Sequence, residues 1–303
     1  MSKTVFHLGL DIGGTNSLVG IFSRSLELLV WRKIPTESVL GESSIESRLS
    51  EVINDLLSEV GGNSSDLACA GICGPGPLDS ASGVFRNPFT LPGLDGWNVV
   101  RFLERTYGCR AHLENDADMA AYGEFLSASE PRPDPMLMLT VGTGIGGAIV
   151  SSGKIYRGAG GEHPEYGLIP VLDHGPSCYS GVVGSLESWT SGSAIKQFAL
   201  HHRLDGPGDL FTSATPAVAE TRKNMALAWR RGILTWLHCF YPSEIVLGGG
   251  VLEYQSEWFL KQTMDALAES RLIDQSSVKV RLARLKSLAG IHGAAGFAKY
   301  LCQ

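Results

Sequence analysis

The sequence predicts an α/β protein of two similar lobes, each built in the order β-β-β-α-β-α-β-α, with a cleft between them. Three observations carry this prediction. An apolar run, a glycine-rich turn and a second apolar run occur in FHLGLDIGGTNSLVGIF (6–22) and again in MLMLTVGTGIGGAIVSSG (136–153). Each copy is followed by segments that alternate between helical and strand periodicity. Between the copies lies SASEPRPDP (127–135), polar and proline-rich as a boundary or surface loop is. The lobes are accordingly placed at 1–126 and 127–289, with a last helix over 290–303 packing back on the first.

The first lobe opens on three strand-like runs, Val5–Leu10, Leu18–Phe22 and Leu28–Ile34. The first two are joined too tightly for a crossover, so they pair antiparallel. Ile45, Leu49, Val52, Ile53, Leu56 and Val60 then recur at helical spacing. Leu67–Ile72 reads as a short strand leading into the loop CGPGPLD (73–79). A helix over Val99–Tyr107, a strand over Ala111–Glu114 and a helix over Ala117–Leu126 complete the lobe. In the second lobe the hairpin repeats. Val218, Met225, Trp229, Ile233, Trp236 and Phe240 mark a long helix, with Thr215 and Pro216 as N-cap and first helical residue. A strand at Glu244–Leu247, a helix over about 256–270, a strand at Val278–Leu282 and a helix from Gly290 follow.

The composition bounds the function. At 303 residues, 44% hydrophobic and 18% charged, the chain can bury a large core without staples. A formal charge of −6 argues against a general binder of nucleic-acid backbones. The six cysteines form no CxxC pair and read as reduced thiols. The segment before Asp11 is too short for a signal peptide, and no apolar run is long enough to span a bilayer. A cytoplasmic protein with neither membrane nor nucleic-acid partners is expected.

Three glycine turns follow strands: DIGGT (11–15), GTGIGG (142–147) and GGG (248–250). Glycine lets the backbone approach an anion and point several N–H groups at it, and Thr15 and Thr143 add hydroxyls. Any one of them serves equally as a plain tight turn. GTGIGG leads into a strand rather than the helix a dinucleotide motif requires, and no P-loop occurs. Two hairpin-borne glycine turns, one opening on Asp11, fit a nucleoside triphosphate clamped between two lobes. A second acid, Asp116 in LENDADMAAYGE (113–124), is either a helix N-cap or a general base for phosphoryl transfer.

LDIGGTN (10–16), GICGPGPLD (71–79), ENDADMAAYGE (114–124), VGTGIGGAIV (141–150) and IVLGGGV (245–251), in this order and spacing, resemble the ROK family of sugar kinases and sugar-responsive repressors. The family belongs to the actin, sugar kinase and Hsp70 group, with an actin-like ATPase (ribonuclease H-like) fold. The resemblance runs from about residue 5 to the last helix. It implies that Asp11 places Mg²⁺ with ATP while Gly13, Gly14, Thr15 and Asn16 line the phosphates. Thr143 and Gly144 approach the phosphates from the other lobe, and Gly249 and Gly250 lie near the adenosine. Gly76 and Asn115 are implied to bind the sugar, and Asp116 to take the proton from its attacking hydroxyl. PEYGLIPV (164–171) and GSLES (184–188) match further family stretches, placing Glu165 and Glu187 on the sugar. An alternative register uses Glu162, but the shared PV ending favours Glu165. In FTLPGLDGW (89–97), Thr90 stands where the family often has a sugar-side asparagine, for which Asn87 could compensate.

The zinc motif departs from the family. Where many members carry C-x-C-G-x-x-G-C, this chain reads CYSGVVGS (178–185), so Ser180 and Ser185 replace two cysteines beside Cys178. Leu168 replaces the histidine ligand, which in relatives also touches the sugar. Serine hydroxyls are poor zinc ligands and leucine is none, so structural zinc is expected to be absent. His163, His174 and Cys178 match no other zinc spacing. The resemblance therefore implies an ATP-dependent, glucokinase-like hexose kinase acting on the 6-hydroxyl, a homodimer as relatives commonly are. N-acetylmannosamine, N-acetylglucosamine, fructose and allose are alternative acceptors. A non-catalytic sugar sensor is the alternative of another class. The repressor form is disfavoured because only ten residues precede Asp11.

Overall fold

Strand β1 (Phe6–Ile12) is buried at every residue but Asp11, as a central strand covered on both faces must be. In the structure, a computed structural model describing residues 5–36, 45–87 and 90–302, β1 lies at the centre of a five-stranded sheet. Strands β2 (Asn16–Phe22) and β3 (Leu28–Pro35) continue from it antiparallel. Helix α1 (Ile45–Glu59) precedes β4 (Leu67–Gly74), which pairs parallel to β1. A small hairpin of β5 (Leu78–Asp79) and β6 (Val84–Phe85) follows, then α2 (Val99–Tyr107). Strand β7 (Arg110–Asn115) pairs parallel to β4 and runs straight into α3 (Asp116–Leu126). Leu8 and Leu10 of β1 join Leu49, Ile53, Phe102 and Leu103 of α1 and α2 in one apolar cluster.

The second sheet repeats the pattern. Strands β8 (Met136–Val141), β9 (Ile145–Ser151) and β10 (Lys154–Ile155) form an antiparallel run. Three short helices, α4 (Leu186–Thr190), α5 (Gly192–His201) and α6 (Asp209–Thr212), lead to the long α7 (Pro216–Phe240). Strand β11 (Glu244–Gly248), helix α8 (Leu252–Glu269) and strand β12 (Lys279–Leu282) complete it. The orders β3-β2-β1-β4-β7 and β10-β9-β8-β11-β12 correspond strand for strand. Trp229 of α7 stacks edge-on against Phe259 of α8 and donates to Thr263 Oγ1 at 2.9 Å. Helix α8 begins at Leu252 rather than near 256, because the GGG turn passes directly into a helical turn that kinks at Gln255 (φ −128°).

Helix α9 (Ala289–Leu301) returns to the first sheet. Gly9 of β1 and Gly71 of β4 face its Ile291 and Ala294 backbone, on the side opposite Leu8 and Leu10. Residues up to Ser129 together with those from Ser287 onward form one compact unit, and Glu130–Lys286 form the other. No helix among the described residues is long and apolar enough to cross a membrane. Phe89, the first residue of the sugar-side loop expected over 89–97, lies outside the described residues.

Candidate active site

In the first unit, the parallel strands β1, β4 and β7 end together, with Asp11 level with Cys73 and Gly74 level with Asn115. Parallel strands carry ligands at their carboxyl ends, where loops and helix starts converge. Asp11 therefore stands near Asp116, two strands away. Burial, and then the Asp116 charge, push the Asp11 carboxyl up to about 7, while a hydrogen bond with Cys73 pulls it back.

The turn after Asp11 is braced from β3. Gly13 N–H donates to Asn16 O at 3.2 Å and Thr36 N–H to Thr15 O at 2.9 Å, while Thr36 Oγ1 donates to Gly13 O at 2.5 Å. Gly14 and Thr15 stay exposed. Thr36 has no signal in the sequence, being a lone threonine after a strand.

Asp116 is not the N-cap of α3. Asn115 holds that place, its Oδ1 accepting from Ala117 N (2.8 Å) and Asp118 N (3.3 Å). Asp116 is instead the first helical residue, its Oδ1 accepting from Ala117 N at 2.8 Å. The carboxylate is thereby set in rotation at a helix N-terminus, where negative charge is favoured. Asn115 Nδ2 lies on the side of Gly76, 3.8 Å from where a Cβ on that glycine would stand. These two predicted sugar residues thus come together.

Asn87 plays a different part from the one expected of it. It is buried, and its Nδ2 donates to Pro75 O (3.1 Å), Gly76 O (2.8 Å) and Thr90 Oγ1 (2.6 Å). Thr90 N–H returns a bond to Asn87 Oδ1 at 2.9 Å. Asn87 is an internal clasp for the Gly76 loop rather than a substitute sugar ligand, and Thr90 is exposed beside it.

In the second unit, the turns after β8 and β11 lie side by side. Val251 N–H donates to Val141 O at 3.0 Å, and Gly249 (φ +97°) leaves no room for a Cβ against the Val141 backbone. Helix α5 buttresses the other turn, Gly192 N–H donating to Gly142 O (2.8 Å) and Ser193 N–H to Thr143 O (3.1 Å). Thr143, Gly144, Gly249 and Gly250 are thus gathered at one end of the sheet.

Glu187, in the first turn of α4, reaches this end too. Its Oε2 accepts from Ile145 N–H at 2.8 Å and lies where a Cβ on Gly144 would stand. Burial pushes its carboxyl above the usual range, the Ile145 N–H pulls the other way, and the Glu165 charge adds to the rise. Glu165 precedes a short 3-10 turn, Tyr166–Leu168, and shares this field. The CYSGVVGS loop is closed by hydrogen bonds: Cys178 Sγ lies 2.9 Å from Ser180 Oγ, and Ser185 Oγ caps α4 by accepting from Ser188 N. His174 turns instead to Asp173, its Nδ1 2.7 Å from Oδ1.

Residues 7–300 match the ROK family. The chain belongs to the ROK family. A ROK hexokinase from Thermus thermophilus superposes with a TM-score of 0.83 at 31% identity, covering 98% of this chain and 99% of that one. The glucokinase of Thermotoga maritima is 28% identical over 265 residues, 80% of this chain and 81% of that protein. The N-acetylmannosamine kinase of Salmonella arizonae is 31% identical over 188 residues, 62% of each. These relatives are sugar kinases, and the paired five-stranded sheets have the actin-like ATPase fold of ROK structures.

Proposed function

We propose that this ROK protein is an ATP-dependent hexose kinase, glucokinase-like, transferring the γ-phosphoryl group of ATP to the 6-hydroxyl of its sugar. The observation that carries this reading is the convergence of Asp11 and Asp116, close enough for one charge to raise the pKa of the other. Phosphoryl transfer asks the protein for little beyond positioning, charge stabilisation and a carboxylate to receive a proton. Asp116 receives the proton of the 6-hydroxyl as its oxygen bonds to the γ-phosphorus, and ADP departs as the bond to the β-bridging oxygen breaks. Asn115 and Gly76, with Glu165 and Glu187, hold the sugar hydroxyls; Thr90 adds a hydroxyl at the Gly76 loop. The backbone N–H groups of Gly13, Gly14, Thr15, Asn16, Thr143 and Gly144 hold phosphate oxygens, and Gly249 and Gly250 leave space for the adenosine.

The donor set at Asp11 fits a hard divalent cation, for a carboxylate raised to about 7 by burial and a neighbouring acid is relieved by one. No group of three or more metal-ligating side chains gathers among the described residues, so nucleotide and water oxygens would complete the coordination. Mg²⁺ bound there with ATP neutralises phosphate charge. Asp11 holds that complex at the strand end.

The acceptor is read as glucose, with N-acetylmannosamine the second reading, because relatives of both kinds match this chain. The same reading carries a cytoplasmic homodimer. The test is ADP release from Mg-ATP across glucose, fructose, allose and the N-acetylhexosamines. One favoured sugar is expected, and silence across the panel would sink the reading. Replacing the base, Asp116→Asn, is expected to lower kcat by about 10³-fold with sugar affinity nearly unchanged. Turnover near the wild-type rate would remove Asp116 from that role.

A further inference from the structure

Helix α4 has only five residues, yet it is pinned along its length. Leu186 N–H donates to Ile169 O (3.0 Å), Ser188 N–H to Ser185 Oγ (3.1 Å) and Trp189 Nε1 to His174 O (3.3 Å). Leu186 is fully buried against Gly232 of α7, where a Cβ would come 2.9 Å from its methyls. Ser191 N–H donates to Glu187 O at 3.1 Å, and Ser191 Oγ caps α5 by accepting from Ala194 N (3.2 Å). The elbow from α4 into α5 is a fixed support, and Glu187 is the one acidic residue on these two helices.

That support meets the GTGIGG turn at three places. Gly192 N–H and Ser193 N–H hold the Gly142 and Thr143 carbonyls, and Glu187 Oε2 accepts from Ile145 N–H at 2.8 Å. A bond from a backbone N–H to a carboxylate is charge-assisted, so it is the strongest kind of the three. The carboxylate also covers Gly144: the three atoms nearest to a Cβ placed there all belong to Glu187, with Cδ at 3.2 Å and Oε1 at 3.8 Å behind Oε2. Oε1 itself makes no hydrogen bond among the described residues. One oxygen of Glu187 is thus committed to the phosphate turn, while the other keeps its lone pairs for a hydroxyl donor.

We propose that Glu187 ties the acceptor sugar to the phosphate turn: Oε2 holds the turn through Ile145 N–H and Oε1 receives a sugar hydroxyl, so that one carboxylate positions both substrates. This rests on the sugar-kinase reading above and adds to it a role for Glu187 on the nucleotide side. A turn that loses this bond must be ordered by the nucleotide itself, which lowers nucleotide affinity. The two roles separate by chemistry. A glutamine carbonyl can still accept Ile145 N–H, while its NH2 puts a donor where the sugar meets an acceptor. Alanine removes both. Gly144→Ala works from the other side: Gly144 is not in the left-handed region, so alanine suits the backbone, and its Cβ displaces the Glu187 carboxylate.

The experiment measures Kd for Mg-ADP, glucose and N-acetylmannosamine by calorimetry in wild type, Glu187→Gln, Glu187→Ala, Gly144→Ala and the Gly144→Ala/Glu187→Ala pair. Amide exchange at Ile145 and kcat are measured on the same proteins. Glu187→Gln is expected to raise the sugar Kd about tenfold, with the Mg-ADP Kd and the protection of Ile145 unchanged. Glu187→Ala is expected to raise the sugar Kd as much, to raise the Mg-ADP Kd about fivefold and to speed exchange at Ile145. Gly144→Ala is expected to raise the sugar Kd about fivefold, although its place is on the phosphate turn, and to cause no further loss of sugar in the Glu187→Ala background. An unchanged Mg-ADP Kd in Glu187→Ala, or an equal rise in Glu187→Gln, would overturn the proposal and leave the kinase reading intact. A sugar Kd untouched by Gly144→Ala would do the same, and that variant decides if Glu187→Ala does not fold. Wild type that binds both ligands without turning over, with the expected pattern across the variants, would support Glu187 while removing the kinase. Wild type that fails to bind Mg-ADP, or fails to bind both sugars, would overturn both.

Discussion

Gly290, in the first turn of α9, lies against Asp11, and replacing it by alanine moves that carboxylate without touching a nucleotide. A Cβ at Gly290 would overlap Asp11 Oδ2, with Cys73 Sγ 3.2 Å away. To regain ordinary van der Waals separation the carboxylate must withdraw by about 1 Å. Two terms oppose each other in stability. Alanine favours a helix over glycine by about 1 kcal/mol, and crowding a packed site costs about 1–3 kcal/mol. The net loss is about 0–2 kcal/mol, a melting shift of only a few degrees for a chain of this size. Function is far more sensitive, because a misplacement of about 1 Å costs up to roughly 10²-fold in rate. Steady-state kinetics and thermal melts on one preparation of Gly290→Ala separate the two effects. We expect kcat/KM for ATP to fall about 10²-fold, with sugar KM within a factor of about three. A folded variant with wild-type kcat/KM for ATP would refute the reasoning, since it would show that Asp11 need not stand where the structure puts it.

The buried His7 gives a pH prediction. Burial, then the Lys299 charge, lower it to about 4, so the unfolded chain takes up the proton first as the pH drops. Its contribution is full above about pH 6.5 and is lost as pH falls towards 4, by about 2 kcal/mol between pH 7.5 and 5. Asp11, raised to about 7, has the opposite slope, its contribution being lost as pH rises through 7. The measurement is therefore the difference in urea midpoint between wild type and His7→Gln at each pH; parallel profiles would reject the assignment. Gly293→Ala sets a Cβ into the Met119 carbonyl, with Gly123 N 2.9 Å away, where only backbone could give. We expect a loss of about 3 kcal/mol in denaturant, and a midpoint within error of wild type would contradict that contact.

The central strands of both sheets were legible because they are mostly apolar, and the Asp11 turn because an acid interrupts one of them, whereas the two-residue β10 (Lys154–Ile155) is too short to show a pattern. Helix α4 was not legible, since five residues cannot show a period and four of them are buried. The clasp roles of Asn87 and Thr36 depend on partners far along the chain or on loop geometry, which residue type alone does not encode. Asn115 and Asp116 are both good caps, and only the backbone angle at the end of β7 decides between them.

The return of α9 to the first sheet has a consequence for synthesis. A ribosome releases the five strands of that sheet early, yet Gly9, Gly71, Gly123 and Asp11 await neighbours encoded more than 150 residues later. Glu130–Lys286, by contrast, is one uninterrupted stretch and emerges with its core complete. The later-encoded unit can therefore finish folding first, while the nascent sheet carrying Asp11 and Asp116 remains open on one face until the last helix leaves the exit tunnel.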